Sequence, residues 1–340
     1  MVLIDSVYVH ESGGKSLLVY LASELNEKNI EFYLLVDSRF PESELLNYNY
    51  FKLNKSSESE RKFFYLKNKD TFSKVLCFAN IPPPISLSVP VFVFFHNVLL
   101  VQNYFFRNGY SFVDKCLFLL KRAYLYIKLK KDYKVIVQTD SVKNLFSQKV
   151  YFSANNILVI PFFSNKFEGC SSHDRIKNEK FVYVADGVRQ KNHLNLLKAW
   201  EILFTDYNLN LELHLTIPAK FSKLINLIHI LNSKGLNIIN HGICDFNQVK
   251  QLYLSSEYLI YPSLAESFGL PLLEGASCGC KVVVSNLDYY KYLINPTAVF
   301  NPYRPSNIAF VVYNQILNPN SNRTSIIINN MSNKLVELIA

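Results

Sequence analysis

The chain has 340 residues, of which 49% are hydrophobic and 19% charged, with a formal net charge of +9. That is too apolar for global disorder and long enough for two medium domains, each with its own core. The six cysteines, Cys77, Cys116, Cys170, Cys244, Cys278 and Cys280, spell neither a zinc pattern nor a disulfide framework, and no basic start leads into a long apolar run, so the expectation is a cytoplasmic chain without signal peptide or membrane-spanning helix.

Strand-like and helix-like segments alternate along the first half, the pattern of α/β layers on a parallel sheet. Strands are expected at 2–9, 30–36, 74–78, 89–96, 134–138 and 157–163, and helices near 15–27, 112–129 and 141–146. After the first strand comes Ser12-Gly13-Gly14-Lys15-Ser16. A phosphate-binding G-x4-G-K-[ST] loop would need glycine where Val9 stands. Gly13 and Gly14 are therefore read as a tight turn that lets a phosphate approach, with a plain strand-to-helix turn as the alternative. The polar stretch 49–70 reads as a long surface excursion. His96 ends the apolar run 89–95; a lone histidine there is more often structural. Asp140 or Ser141 would cap the next helix.

Between 102 and 134 the chain carries Arg107, Lys115, Lys121, Arg122, Lys128, Lys130, Lys131 and Lys134 against Asp114 and Asp132. Phe105, Phe106, Tyr110, Phe112, Phe118, Tyr124 and Tyr126 are interleaved with them. A basic, aromatic-rich helical stretch suits an anionic membrane surface. An ordinary solvated basic face is the alternative, and no nucleic-acid-binding motif accompanies the charge, so no nucleic-acid partner is expected.

From 164 to 179 the composition turns to Ser, Asn, Lys, Gly and His-Asp without periodicity, which marks a linker between domains 1–163 and 180–340. A second alternation follows: strands at 181–185, 211–216, 236–240, 258–261 and 281–285, helices at 192–204, 220–231, 247–255 and 270–278. The tail from 301 is Asn-rich and poorly periodic until 331–339. The whole is a pair of doubly wound, Rossmann-like α/β domains, in which ligands sit at the carboxyl ends of strands.

Two loops at such ends carry chemistry. Asp186-Gly187-Val188-Arg189-Gln190-Lys191-Asn192-His193 opens into a helix. Its cations and the helix start would together meet a diphosphate. The second loop is Glu266-Ser267-Phe268-Gly269-Leu270-Pro271-Leu272-Leu273-Glu274, followed by Gly275-Ala276-Ser277-Cys278-Gly279. Pro271 suits a first helical turn and Gly269 permits close backbone approach. Glu266 would lie in the loop and Glu274 about one turn into the helix.

This second loop, with both acids, the Phe-Gly-Leu-Pro core and the trailing Gly-Ala-Ser-x-Gly, resembles the E-x7-E signature of the retaining, GT-B-fold glycosyltransferases of family 4. The resemblance covers roughly 1–302 and is strongest over 182–285. It implies two Rossmann-like domains facing across a cleft, and transfer of a hexose-type sugar from a nucleotide-sugar donor. Glu266 would then lie by the donor sugar, with Ser267, Phe268, Gly269 and Leu270 contacting sugar and phosphate, and Glu274 on the ribose. Lys191 falls on the family's lysine against the diphosphate. The family's arginine five residues earlier is Asp186 here, and Arg189 is the candidate replacement. Gly13 and Gly14 would approach the donor phosphate, His96 the reacting sugar, and the backbone of Gly242 and Ile243 the nucleobase. His241 itself is read as bland. No metal and no cofactor beyond the nucleotide-sugar substrate is implied. The family context favours a lipid-linked saccharide acceptor in O-antigen, lipopolysaccharide or capsule synthesis, with peripheral attachment to the inner face of the plasma membrane. A non-catalytic sugar-nucleotide-binding or membrane-associated subunit that kept the fold is the alternative. An epimerase of the same fold is a third reading, and a nicotinamide enzyme is disfavoured because no G-x-G-x-x-G follows the first strand.

Overall fold

Short runs of Val, Ile, Leu and Phe, apolar on both faces, form the strands of two parallel sheets. The computed structural model describes residues 1–340 except 11, 103–110, 151, 165, 168–178 and 319–321. Most of the expected linker and the start of the basic stretch, including Phe105, Phe106, Arg107 and Tyr110, therefore lie outside the described residues. The chain divides into two compact units, Met1–Ser164 with Asn329–Ala340, and Asn165–Ile328.

Among the described residues, the first unit holds seven strands: β1 (Val2–Ser6), β2 (Phe32–Val36), β3 (Tyr50–Lys52), β4 (Lys74–Cys77), β5 (Val91–Phe94), β6 (Lys134–Val137) and β7 (Ile157–Val159). Their order is β3-β2-β1-β4-β5-β6-β7, and all neighbours are parallel. Every residue of β1 and β5 is buried, as in strands covered on both faces. The helices are α1 (Ser12–Glu27), α2 (Glu58–Asn68), α3 (Phe112–Lys128) and α4 (Asp140–Val150).

The stretch 49–70 is not a surface excursion. It supplies edge strand β3 and helix α2, which Ser57 caps by accepting from the Glu60 amide. Phe64 and Tyr65 enter the core beside Leu3, Leu35, Val75 and Val93. Arg61, 1% exposed, donates from Nε to Asp5 Oδ2 at 2.8 Å, and the Tyr65 hydroxyl donates to the same oxygen at 2.7 Å. A buried charge is tolerated only when paired and hydrogen-bonded, and that pairing turns a charge-rich helix inward.

The second unit's sheet contains β8 (Phe181–Tyr183), β9 (Leu213–Leu215), β10 (Ile238–Asn240), β11 (Tyr258–Tyr261), β12 (Lys281–Ser285) and, beyond the short β13 (Ile294–Asn295), β14 (Ala298–Phe300). Its order is β10-β9-β8-β11-β12-β14, again all parallel. β15 (Ser325–Ile326) pairs antiparallel with β13. The helices are α5 (His193–Thr205), α6 (Ser222–Ser233), α7 (Phe246–Ser255), α8 (Leu270–Ser277) and α9 (Pro305–Leu317). Helix α9 lies in the tail that lacks clear periodicity, yet it buries Ile308, Ala309 and Val312 and packs on α5. Trp200 of α5 donates from its indole to Leu211 O at 3.1 Å.

Helix α8 lies close to β11 because Gly275 has no side chain. A Cβ there would fall 2.7 Å from Leu259 Cδ2. Gly275→Ala is accordingly expected to lower stability by about 1–3 kcal/mol through overpacking; an unchanged denaturant midpoint would remove that account of the glycine.

The last helix, α10 (Ser332–Ile339), packs with the first unit, not with the second as the expected boundary 180–340 implies. Its stripe of Leu335, Val336 and Ile339 is buried. Met331 N donates to Pro161 O at 2.7 Å, and Asn330 Nδ2 to Phe163 O at 2.7 Å.

Candidate active site

The site forms at the carboxyl ends of β8 and β11, which are neighbours in the second sheet. The loop after β8 ends in a single 3-10 turn, Arg189–Lys191, and Asn192 in the left-handed conformation (φ 61°) starts α5. Asn and Gly tolerate that backbone best. The Asn192 amide donates to Pro262 O at 3.1 Å and Pro302 O at 2.8 Å, fastening two neighbouring loops. Leu264 N donates to Gln190 O at 2.8 Å.

These ties bring Lys191 and Glu266 together. Lys191 Nζ lies 2.7 Å from Glu266 Oε1, with side chains 19% and 12% exposed. The Tyr261 hydroxyl donates to the same carboxylate oxygen at 2.9 Å. Tyr183 donates to Lys191 O at 2.9 Å and shares a 2.9 Å hydrogen bond with Ser263 Oγ. Burial, and after it the Glu266 charge, raise both phenols well above their usual range, so they remain donors. His193 is 2% exposed and packs edge-on against Tyr183 at 4.9 Å. Burial, then Lys191, lower its pKa to about 3, so the ring is neutral beside the ammonium. No side chain caps the first turn of α5, which leaves amides facing the loop.

The loop after β11 turns into α8 at Gly269, whose φ of 98° places it in the left-handed region, with Pro271 in the first turn. Glu274 sits one turn in and accepts from the Tyr253 hydroxyl at 3.1 Å. Burial raises its pKa to about 7. Ser267 and Leu270 are partly exposed on this loop, but Phe268 is 4% exposed. The Phe268 ring therefore belongs to the core, and only its backbone is available to a ligand. Arg189 is exposed in the loop after β8, and Val188 N donates to Asp186 Oδ1 at 3.4 Å. Gly242 has a φ of 71° with open space where a Cβ would stand, and Ile243 is 82% exposed.

In the first unit, His96 follows β5. Its backbone N–H donates to Asn80 Oδ1 at 2.6 Å, and its ring packs on Phe94 and Phe78. Burial lowers its pKa to about 4, so it is uncharged near neutrality. A Cβ on Gly14 would lie 3.5 Å from His96 Nε2, so these two expected residues are neighbours. Gly13 and Gly14 are not a separate tight turn. They lie within the first turn of α1, and neither takes a positive φ.

Tyr183, Tyr261, Tyr253, Ser263 and Asn192 are site residues that sequence reasoning passed over. The tyrosines sit in apolar strand and helix patterns that hide their hydroxyls. Asn192 carried a usable signal, an Asn immediately before a helix.

Two parallel α/β sheets with crossover helices, and informative loops at the carboxyl ends of their strands, define a pair of Rossmann-like domains of the GT-B class. HepE from Anabaena, solved in complex with UDP and glucose, superimposes with a TM-score of 0.71 at 12% identity over 94% of this chain and 90% of that one. WaaG, a glycosyltransferase involved in lipopolysaccharide biosynthesis, gives 0.66 at 13% identity over 100% of both. Residues 172–330 match the family model of glycosyl transferases group 1. Capsular polysaccharide biosynthesis glycosyltransferase CapH of Staphylococcus aureus is 28% identical over 177 residues, 48% of this chain and 49% of CapH. O-antigen chain mannosyltransferase RfbU of Salmonella typhimurium (strain LT2) is 26% identical over 56% of this chain and 52% of RfbU. The chain thus spans about half the length of these curated relatives.

Proposed function

We propose that this protein moves a hexose-type sugar from a nucleotide-sugar donor to a lipid-linked oligosaccharide, with retention at the anomeric carbon and without a metal ion, during O-antigen or capsule assembly. The observation that carries the reading is the Lys191–Glu266 pair, held at 2.7 Å on adjacent loops. Cleaving a sugar–diphosphate bond builds negative charge on the leaving group and positive character on the anomeric carbon. Lys191, fixed by its loop and flanked by the amides at the start of α5, supplies preorganised positive charge to the diphosphate. Glu266, oriented by Tyr261, accepts hydrogen bonds from sugar hydroxyls, and Glu274 from the ribose. Ser267, Gly269 and Leu270 offer backbone to the donor, and Arg189 adds a second cation. Neutral His96, beside Gly14, is assigned to the reacting sugar as a hydrogen-bonding group, not as an acid.

The capsule and O-antigen relatives support the polysaccharide setting, and the UDP complex of HepE supports a nucleotide donor. The test is a panel of nucleotide sugars with purified protein and membrane extract, read by product mass. One added hexose is expected, with the anomeric configuration of the donor kept. Neither transfer nor saturable binding across the panel would sink the enzyme reading.

Attachment to an anionic membrane surface is part of the same proposal and rests on α3. Leu125 is buried, whereas Phe112, Leu120 and Ile127 are 80%, 67% and 78% exposed. Lys115, Lys121, Arg122 and Lys128 share that helix, and no described helix is long and apolar enough to cross a membrane. Apolar residues at the headgroup boundary and cations over anionic lipid are the two terms of interfacial binding. Vesicles containing anionic phospholipid should bind the protein, salt should weaken the binding, and K115E/K121E should abolish it. Equal binding to neutral vesicles would remove the electrostatic part.

A further inference from the structure

Helix α2 has an outward face that the core does not use. Its buried residues are Arg61, Phe64 and Tyr65. Phe63 and Leu66 are 69% and 54% exposed, and Lys62 and Lys67 are exposed beside them. Residues three and four apart are neighbours on a helix surface, so these two lysines and two large apolar side chains form a single strip. Phe51 of edge strand β3, 44% exposed, packs on Phe64 with ring centroids 5.4 Å apart and widens the apolar part. The acids of the first turn are engaged elsewhere. Glu58 accepts from the Tyr8 and Tyr124 hydroxyls, and Glu60 Oε2 accepts from the Lys55 amide at 3.0 Å.

The fold sets this strip beside α3. The connections β3-α2-β4 and β5-α3-β6 both run from the β3 edge toward the β7 edge of the sheet. Right-handed crossovers in one direction place their helices on the same face. The connection β1-α1-β2 runs the other way, which puts α1 on the opposite face. Side chains then fasten the pair. The Tyr124 hydroxyl of α3 donates to Glu58 Oε2 of α2. Arg61 Nη2 donates to Pro82 O, and Lys128 Nζ of α3 donates to Pro84 O, each at 2.9 Å, so one short segment holds both helices. The exposed apolar residues of α3 and the strip on α2 therefore lie on the same side of the sheet.

We propose that the face of α2 made by Lys62, Phe63, Leu66 and Lys67 is a second contact with anionic phospholipid, and that α2 and α3 together set the angle at which the first unit lies on the bilayer. This rests on the reading of α3 as a membrane contact. A body attached by one interfacial helix is free to roll about that helix; a second helix beside it removes the freedom. The charge of the strip selects the occupant. Apolar side chains at the acyl boundary with lysines over the phosphates are the arrangement of an interfacial helix. A second copy of the chain docked across a two-fold axis would instead bring these lysines against their own counterparts.

The test puts a reporter on each helix of the full chain. The native tryptophan, Trp200, is buried and gives a constant background. Phe63→Trp reports on α2 and, in a separate protein, Ile127→Trp on α3. With vesicles of phosphatidylglycerol and phosphatidylcholine, both reporters should shift to the blue and be quenched by brominated acyl chains. Lys62→Gln/Lys67→Gln should weaken binding about 25-fold, at about five-fold for each lysine near the surface. Phe63→Ser/Leu66→Ser should weaken it at high salt as well, where the lysine contribution is screened. All four side chains are exposed, so the variants should keep the parent's thermal midpoint. A response from Ile127→Trp with none from Phe63→Trp, or unchanged affinity in Lys62→Gln/Lys67→Gln, would overturn the α2 contact while leaving α3 on the membrane. A concentration-dependent dimer in sedimentation that Phe63→Ser/Leu66→Ser abolishes would give the strip to a second copy and overturn it too. If the parent does not bind the anionic vesicles, the membrane reading itself falls and takes this proposal with it.

Discussion

On the proposed function, Lys191→Ala is expected to lower turnover by about 10²- to 10³-fold, the usual consequence of deleting one preorganised charge or donor at a developing anion. The fold survives, because Glu266 keeps the Tyr261 hydroxyl as a donor and the lysine side chain is partly exposed. Lys191→Arg restores charge but not position, since a planar guanidinium does not replace a compact ammonium held at 2.7 Å from Glu266. It should recover only part of the rate. The measurements are kcat with the donor found in the panel and the thermal midpoint of each variant. Undiminished kcat in the alanine variant would remove Lys191 from the leaving-group role. A fall in midpoint equal to that of a core truncation would reduce it to a structural lysine.

Glu274→Gln has two opposite effects. Burial raises the Glu274 carboxyl from 4.5 to about 7. The folded state therefore holds a proton that the unfolded state releases. The favourable contribution is complete below about pH 4.5 and is lost as pH rises through about 7. One pKa unit corresponds to about 1.36 kcal/mol, so the loss is on the order of 3 kcal/mol by pH 8. Glutamine keeps an acceptor for Tyr253 and carries no charge. In the absence of nucleotide, the variant should be the more stable protein at pH 8 and equal to the parent near pH 4. Nucleotide affinity should move the other way, falling about 10- to 100-fold with the loss of charged hydrogen bonds to the ribose. Chemical denaturation at the two pH values and calorimetric titration of the nucleotide check both halves. Unchanged affinity would sever Glu274 from the ribose even if the stability shift appears.

The part of the site that was legible lies in contiguous residues. Glu266 to Glu274 and Asp186 to His193 are loop-to-helix segments whose local chemistry is complete in the sequence. Gly269 at a left-handed N-cap with Pro271 inside the first turn follows directly from residue type. What stayed hidden depends on partners far along the chain. Helix α2 reads as solvated because its arginine is charged, and Asp5, 56 residues away, with the Pro82 carbonyl makes Arg61 a core residue. Tyr183 reads as an apolar strand position, because its hydroxyl meets Ser263, 80 residues on. Phe268 lies inside a ligand-binding pattern, yet its ring is buried, a distinction that spacing does not carry. His214 and His241 are 27 residues apart, and the pairing of parallel neighbours β9 and β10 brings their ring nitrogens within 2.8 Å.

Helix α10 has a consequence for how the molecule is made. Because Asn329–Ala340 completes the first unit, the second unit is an insertion in the first one's chain. During synthesis the inserted domain has all its residues before its host does. The host sheet must wait, with α1 and β4 lacking their α10 cover, until the closing helix arrives. Late closure of this kind makes the last dozen residues a clasp: cutting them would expose the host's apolar surface while leaving the inserted domain whole.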